Sequence, residues 1–221
     1  IGQSLGVLIC FMQNKNNSLV DQLIIEVEYA LGTIYDNKSD AWSSNDTEAK
    51  LNKTQSSQSE KIMRINHMGE VCAQALYRGQ AAFTKDKKVK QQLYQMCEEE
   101  NYHLKLCNQR LKELDGKKSM LNPLWYLASF TLGSIAGLKE KDWKLGFIEE
   151  TEKQVKAHLE GSISSLPKQD KRSKEFLNTI AKDEEKHRNT AQQIGVNEIP
   201  EFLKKTMSIL STIMKKITGR I

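Results

Sequence analysis

The apolar positions Val89, Leu93, Met96, Cys107, Leu111 and Leu114 recur in steps that fit one buried helix face, and Glu100 and His103 occupy the same stripe. A second stripe, Leu177, Ile180, Ala191 and Ile194, carries Glu184 and His187 in the same way. Two more carry one glutamate each: Ile62, Asn66, Glu70, Ala73 and Tyr77, then Leu145, Ile148, Glu152, Val155 and Leu159. Capping residues, prolines and glycines bound these runs. They predict helices from about Ser59 to Phe83, from Asp86 to Gly116, from Trp143 to Ser165 and from Pro167 to Gly195. The alternation that marks strands is nowhere sustained, so the fold class is all-α.

Outside this region, Ser18 and Asp21 signal the start of an amphipathic helix over 18–36, with Leu19, Leu23, Ile24, Val27, Leu31 and Ile34 on its apolar stripe. Residues 37–58 are rich in Ser, Asn, Lys and Thr and read as a polar linker. The first 17 residues form an N-terminal extension whose apolar part has no basic flank and no small-residue cleavage site, unlike a signal peptide. Ile1 and Met12 both remain open as the natural start. Residues 196–221 form a basic amphipathic tail.

The connections define the architecture. The first two bundle helices join tightly near Lys85 and the last two near Pro167, whereas 117–142 is a long crossover. Two antiparallel hairpins joined by one long crossover make a ferritin-like four-helix bundle over 59–195. That fold builds two-metal sites from a Glu on each of two helices and a Glu-x-x-His on each of the other two, and this chain supplies the set in order.

Burying a carboxylate without a counter-charge costs several kcal/mol, so cations are expected among Glu70, Glu100, His103, Glu152, Glu184 and His187. Four carboxylates and two imidazoles neutralise two divalent ions and leave coordination positions open. Oxygen and imidazole donors favour iron or manganese over copper, and the lack of thiolates argues against an iron–sulfur cluster. Glu100 and Glu184 are the expected bridges, each sharing a helix turn with its histidine. A lone Glu-x-x-His is an ordinary solvated pair, but two on core stripes with matched glutamates are not. His67, three residues before Glu70, is a competing ligand by spacing but is read rather as a neighbour of the site or a helix-start residue. Glu99 and Asp183 either accept the outer N–H of the facing histidine or are ordinary solvated charges. Cys10, Cys72, Cys97 and Cys107 lack paired spacing; the three on predicted helices read as small buried thiols in a reducing compartment.

At Arg64-Ile-Asn-His-Met-Gly-Glu70, Glu99-Glu100-Asn-Tyr-His103, Leu121-Asn-Pro-Leu-Trp-Tyr126, Leu145-Gly-Phe-Ile-Glu-Glu-Thr-Glu152 and Asp183-Glu184-Glu-Lys-His187 the chain resembles the demethoxyubiquinone hydroxylase family of ubiquinone biosynthesis, bacterial branch. The resemblance runs from about Leu19 to Gly195. It implies the same six ligands, two iron ions, O2 as co-substrate and hydroxylation of a demethoxylated quinone ring. His158 matches a family histidine near the site, with a structural or proton-handling role. Met68 stands where relatives often carry a smaller residue. A polyprenyl quinone substrate implies work at a membrane, here peripherally at the cytoplasmic face of the cell membrane, with other ubiquinone-biosynthesis proteins as partners and no nucleic acid. No Gly-x-Gly-x-x-Gly occurs, so no Rossmann site for a nicotinamide is claimed; the reductant is not visible in the sequence, a partner protein and NADH meeting the quinone itself both being open.

The net charge of +5 suits an anionic membrane or RNA. Ser119 to Leu138 carries no charge, and Leu124, Trp125, Leu127 and Phe130 are expected to meet lipid and the substrate tail, with Trp125 and Tyr126 near the headgroups. The alternative is an ordinary buried crossover. Phe202, Leu203, Met207, Leu210, Met214 and Ile217 form one face of the C-terminal tail beside Lys204, Lys205, Lys215, Lys216 and Arg220, fit for an anionic surface or an oligomer contact. A di-iron tRNA-modifying hydroxylase and a ferritin-like iron store share the ligand pattern. The apolar crossover argues against the first, and nothing identifies assembly faces for the second.

Overall fold

The computed structural model describes residues 18–35, 50–139, 143 and 145–220; the N-terminal extension and the expected linker as far as residue 49 lie outside them. The described elements are helices: α1 (Leu19–Tyr35), α2 (Lys53–Phe83), α3 (Lys87–Glu113), α4 (Asn122–Leu138), α5 (Gly146–Ser165), α6 (Lys171–Ile194) and α7 (Glu201–Thr218). Helices α2 and α3 pack as one hairpin and α5 and α6 as the other, and α4 crosses between them along α2. This is the ferritin-like arrangement.

Helix α2 begins at Lys53, earlier than Ser59, so the last part of the expected linker is helical. The cause is local: Asn52 and Gln55 form a capping box, each side chain 3.0 Å from the other's backbone nitrogen. His67 therefore sits in mid-helix, not near a start. At the end of α3 it is Asp115, with φ 54°, that takes the left-handed conformation, and Gly116 closes the turn through its N–H to Leu111 O at 2.7 Å.

Two apolar layers bracket a polar one. Val89, Leu93 and Met96 of α3 pack with Tyr77, Ile148 and Ala191, whereas Cys107 and Leu111 pack with Met63, Leu159, Phe176, Leu177 and Ile180. Glu100, His103, Glu184 and His187 fall between these layers on α3 and α6.

The crossover is held by backbone contact. A Cβ on Gly133 would lie 2.1 Å from Leu76 O, and one on Gly79 would lie 2.2 Å from Phe130 O. Only glycine lets α2 and α4 approach so closely. The crossover is neither wholly buried nor wholly interfacial. Tyr126 is buried beside Ile34, Val71, Ala75 and Leu104, against its expected place near the headgroups. Trp125 and Phe130 are half-buried, and Trp125 Nε1 donates to Thr218 Oγ1 at 3.1 Å. Leu124 and Leu127 face outward, the latter 63% exposed.

Helix α1 turns its polar side to the bundle. Glu26 accepts from Arg78 at 2.6 Å, and that guanidinium lies between the rings of Tyr29 and Tyr94. Thr33 donates to Gln74 at 2.8 Å. Ile34 is buried, but Leu23, Ile24, Val27 and Leu31 of the same stripe are exposed. Among the described residues no helix is long and apolar enough to cross a membrane.

Candidate metal centre

The inward stripes of four helices converge on one buried cluster. Glu70 (α2), Glu100 and His103 (α3) and Glu184 (α6) bring one ligand atom each to within 4.8 Å of one another. Glu100, Glu184, Glu152 (α5) and His187 (α6) do the same. Glu100 and Glu184 belong to both groups, and each divides its oxygens between the histidines. Oε2 of Glu100 lies 2.9 Å from His103 Nδ1 and Oε1 lies 3.1 Å from His187 Nδ1. Oε1 of Glu184 lies 3.6 Å from His103 Nδ1 and Oε2 lies 3.5 Å from His187 Nδ1. A carboxylate shared in this way can span two cations, with Glu70 completing one donor set and Glu152 the other.

The imidazoles are oriented from outside. Nε2 of His187 lies 2.7 Å from Glu99 Oε2, and Nε2 of His103 lies 3.3 Å from Asp183 Oδ2, so each outer carboxylate meets the histidine of the facing helix. This fixes Nε2 as the protonated nitrogen and turns Nδ1 inward as a donor for a metal. On α2, Tyr77 donates its hydroxyl to Glu152 Oε1.

Among the described residues, the buried polar atoms without a well-aligned hydrogen bond are scattered singly or in pairs through the fold except at this cluster, where Glu100 Oε1, Glu152 Oε2, both oxygens of Glu184 and Nδ1 of His187 gather. Leaving them so is costly in an apolar interior unless a cation sits among them, and the donor set fits divalent iron or manganese. The protonation pattern says the same. Burial, with the charges of Glu100 and Glu184, holds Glu70 well above the carboxylate range despite its bond to His103. Burial and Glu184 likewise push Glu152 up. Burial would lower His103 and His187, but Glu100 and Glu184 outweigh it and raise both, His187 to about 10. Burial and Glu184 oppose ionisation of Glu100, yet the two histidines hold it low, and Glu184 is low for similar reasons. Protons on two carboxyls and two imidazoles thus balance the cluster, and metal ions would displace them.

The remaining site residues fall elsewhere. His67 is in neither donor group; it is buried against Asn122 of α4, 3.4 Å away, and burial and Lys118 lower it to about 3. His158 faces a pocket between α2, α4, α5 and α7 that Glu70 also lines, which joins the pocket to the cluster. The walls from the crossover are Ser129 and Leu132, not Leu124, Trp125, Leu127 or Phe130. Thr151, Gln154, Val155 and His158 supply the α5 wall, and Met207, Leu210 and Met214 the α7 wall. The groove lies where the sequence points for a substrate tail, on the bundle face near the crossover and the C-terminal amphipathic helix, but apart from His158 its α5 wall is not singled out there. Its signal is a second helical stripe on α5, one step round from the core stripe.

Fold and cluster together define a helical-bundle protein with a buried carboxylate–histidine centre able to hold two metal ions. Residues 57–218 match the family described as ubiquinone biosynthesis protein COQ7, and the chain belongs to that family. A 3-demethoxyubiquinol 3-hydroxylase of Xanthomonas campestris pv. campestris is 41% identical over 210 residues, covering 94% of this chain and 97% of the relative. One of Xanthomonas oryzae pv. oryzae is 40% identical over 211 residues, with shares of 94% and 97%. One of Nitrosospira multiformis is 42% identical over 200 residues, with shares of 89% and 96%.

Proposed function

We propose that this protein is a 3-demethoxyubiquinol 3-hydroxylase that works with two iron ions held by Glu70, Glu100, His103, Glu152, Glu184 and His187, with Glu100 and Glu184 bridging. The observation that carries the reading is the sharing of those two carboxylates between two donor groups, beside a pocket that Glu70 also lines. The iron pair, when bound, supplies the activation of O2 that ring hydroxylation needs. The chain's own residues do the rest. Glu99 and Asp183 orient the histidines, Tyr77 orients Glu152, and the pocket excludes water from the reacting ring. One oxygen atom enters the ring and the other leaves as water, which takes two electrons from NADH or a partner protein and two protons, at least one of them from solvent.

Apolar walls suit a prenylated quinone better than a tRNA base, which would meet polar and cationic surface. The tail leaves between α4 and α7, and we assign the outward residues Leu124 and Leu127 of α4, Leu23, Ile24 and Val27 of α1 and Phe202 and Ile213 of α7 to peripheral contact with the cytoplasmic membrane surface. The test is anaerobic loading with ferrous iron, metal analysis and turnover of demethoxyubiquinol under labelled O2. Two irons per chain and one labelled oxygen in the product are expected. Metal-independent turnover, or a product without label, overturns the reading.

A further inference from the structure

We propose that His158 is a positioning residue that hydrogen-bonds a ring oxygen of the substrate and so sets which ring carbon faces the cluster; this rests on the hydroxylase reading above. Two contacts fix α2 and α5 antiparallel: Asn66 Nδ2 donates to Ser162 Oγ at 3.2 Å, and Tyr77 donates to Glu152. In that register His158 stands level with Glu70, and both line the same pocket. Most of the wall is apolar, including Met68, Leu132, Phe147 and Val155. A hydroquinone ring carries two hydroxyls, and burying either without a partner is unfavourable.

Of the other polar side chains on these walls, three on α2 and α5 are already engaged, while Ser129 lies on α4 and Ser211 and Lys215 on α7. Thr151 donates to Phe147 O at 2.9 Å, Gln154 donates to Glu150 at 2.8 Å, and Asn66 donates to Ile62 O at 2.8 Å as well as to Ser162. His158 has only Ser162 Oγ, 3.5 Å from Nε2, at the outer limit of a hydrogen bond, which leaves Nδ1 for a ligand. Burial and the neighbouring Lys215 ammonium lower its pKa to about 4. The ring is therefore neutral at pH 7, with one N–H and one lone pair. It can donate to a quinone carbonyl or accept from a quinol hydroxyl, so either oxidation state finds a partner.

The test compares iron-loaded wild type, His158→Leu and His158→Gln. Two probes are used: demethoxyubiquinol with two isoprene units, and farnesol, which has a tail and no ring. His158→Leu is expected to weaken the ring-bearing ligand by about tenfold, in line with one lost buried hydrogen bond. Its Kd for farnesol should be unchanged, and a larger share of the O2 consumed should yield no hydroxylated product. His158→Gln, which keeps a donor and an acceptor, should recover most of the affinity. Equal weakening of both probes would mean collapse of the wall, and no weakening of either would mean no contact; each overturns the proposal. Wild-type turnover tests the hydroxylase reading by itself, so the two can fail separately.

Discussion

Glu99 Oε2 lies 2.7 Å from Nε2 of His187 although the two residues sit on different helices, and Glu99 remains 46% exposed while the imidazole is buried. The carboxylate thus holds a buried donor from the surface. Partners of this kind typically contribute about 10–100-fold to metal affinity. Because water can reach Glu99, Glu99→Ala should lower affinity by only about tenfold. Asp183→Ala should do the same through His103, since Asp183 is also partly exposed. Competitive titration with cobalt against a chelator measures both.

The two shared carboxylates predict a sharper effect. Glu100→Ala or Glu184→Ala removes a group common to both donor sets, so bound iron should fall from two per chain to below one and hydroxylation should vanish. The apolar layers on either side stay intact, and the helical circular dichroism should too. Full iron content in either variant would sink the assignment.

Why was the cluster legible residue by residue in the sequence, and the pocket only by its general place? A carboxylate and an imidazole inside an apolar stripe break the binary pattern, and the break is visible at Glu100 and His103 without knowledge of any neighbour. The pocket is made between helices. Val155 and Met214 are ordinary apolar residues on their own helices, and only the placement of α7 beside α5 brings them to one cavity. Helix α1 misleads for a related reason: its apolar stripe gives the helix correctly, but Arg78, buried on α2, demands Glu26 and so turns the polar side inward. The close passage of α4 along α2 depends on Gly79 and Gly133 meeting across space, a coincidence that no single helix displays.

That passage makes a stability prediction. Gly79→Ala and Gly133→Ala each place a Cβ against a backbone carbonyl that cannot rotate away. The helices must separate, at a cost of roughly 1–3 kcal/mol or more. Thermal melts should record the loss in each single variant. Because α4 supplies Ser129 and Leu132 to the pocket, KM for a short-chain quinol should rise as well.

A pH dependence follows from the histidines. In the metal-free protein His187 is raised from 6.5 to about 10, burial opposing and the adjacent carboxylates of Glu100 and Glu184 prevailing. A folded-state value above the unfolded one stabilises fully below about pH 6.5, and that stability is lost as pH rises through about 10. Glu70 and Glu152 act in the same sense, because the folded state prefers their protonated forms. Melting temperature of the metal-free protein should therefore fall over this window. Manganese loading should flatten the slope, because the cation replaces the protons. A metal-free melting temperature that rises with pH would contradict these shifts.

The C-terminal tail, proposed above to meet the membrane, also packs on the bundle. All six cluster residues precede Gly195, which suggests that truncation there spares the metal site and affects only the membrane contact. The structure adds two costs. Leu203 and Met207 pack against the apolar layer that contains Tyr77, Phe147 and Ile148, and Met207, Leu210 and Met214 form one wall of the pocket. Removing α7 opens that wall to water and exposes Phe147. Truncation after Gly195 should still leave Glu70, Glu100, His103, Glu152, Glu184 and His187 on their four helices, so iron binding should persist with a lower melting temperature. Binding to anionic vesicles should weaken, since the tail combines apolar contact with about 1 kcal/mol per basic residue near the surface. The decisive comparison is a short-chain quinol assayed without lipid. A tail that serves only the membrane leaves its KM unchanged, whereas a pocket wall predicts a rise of about tenfold or more from loss of buried apolar contact.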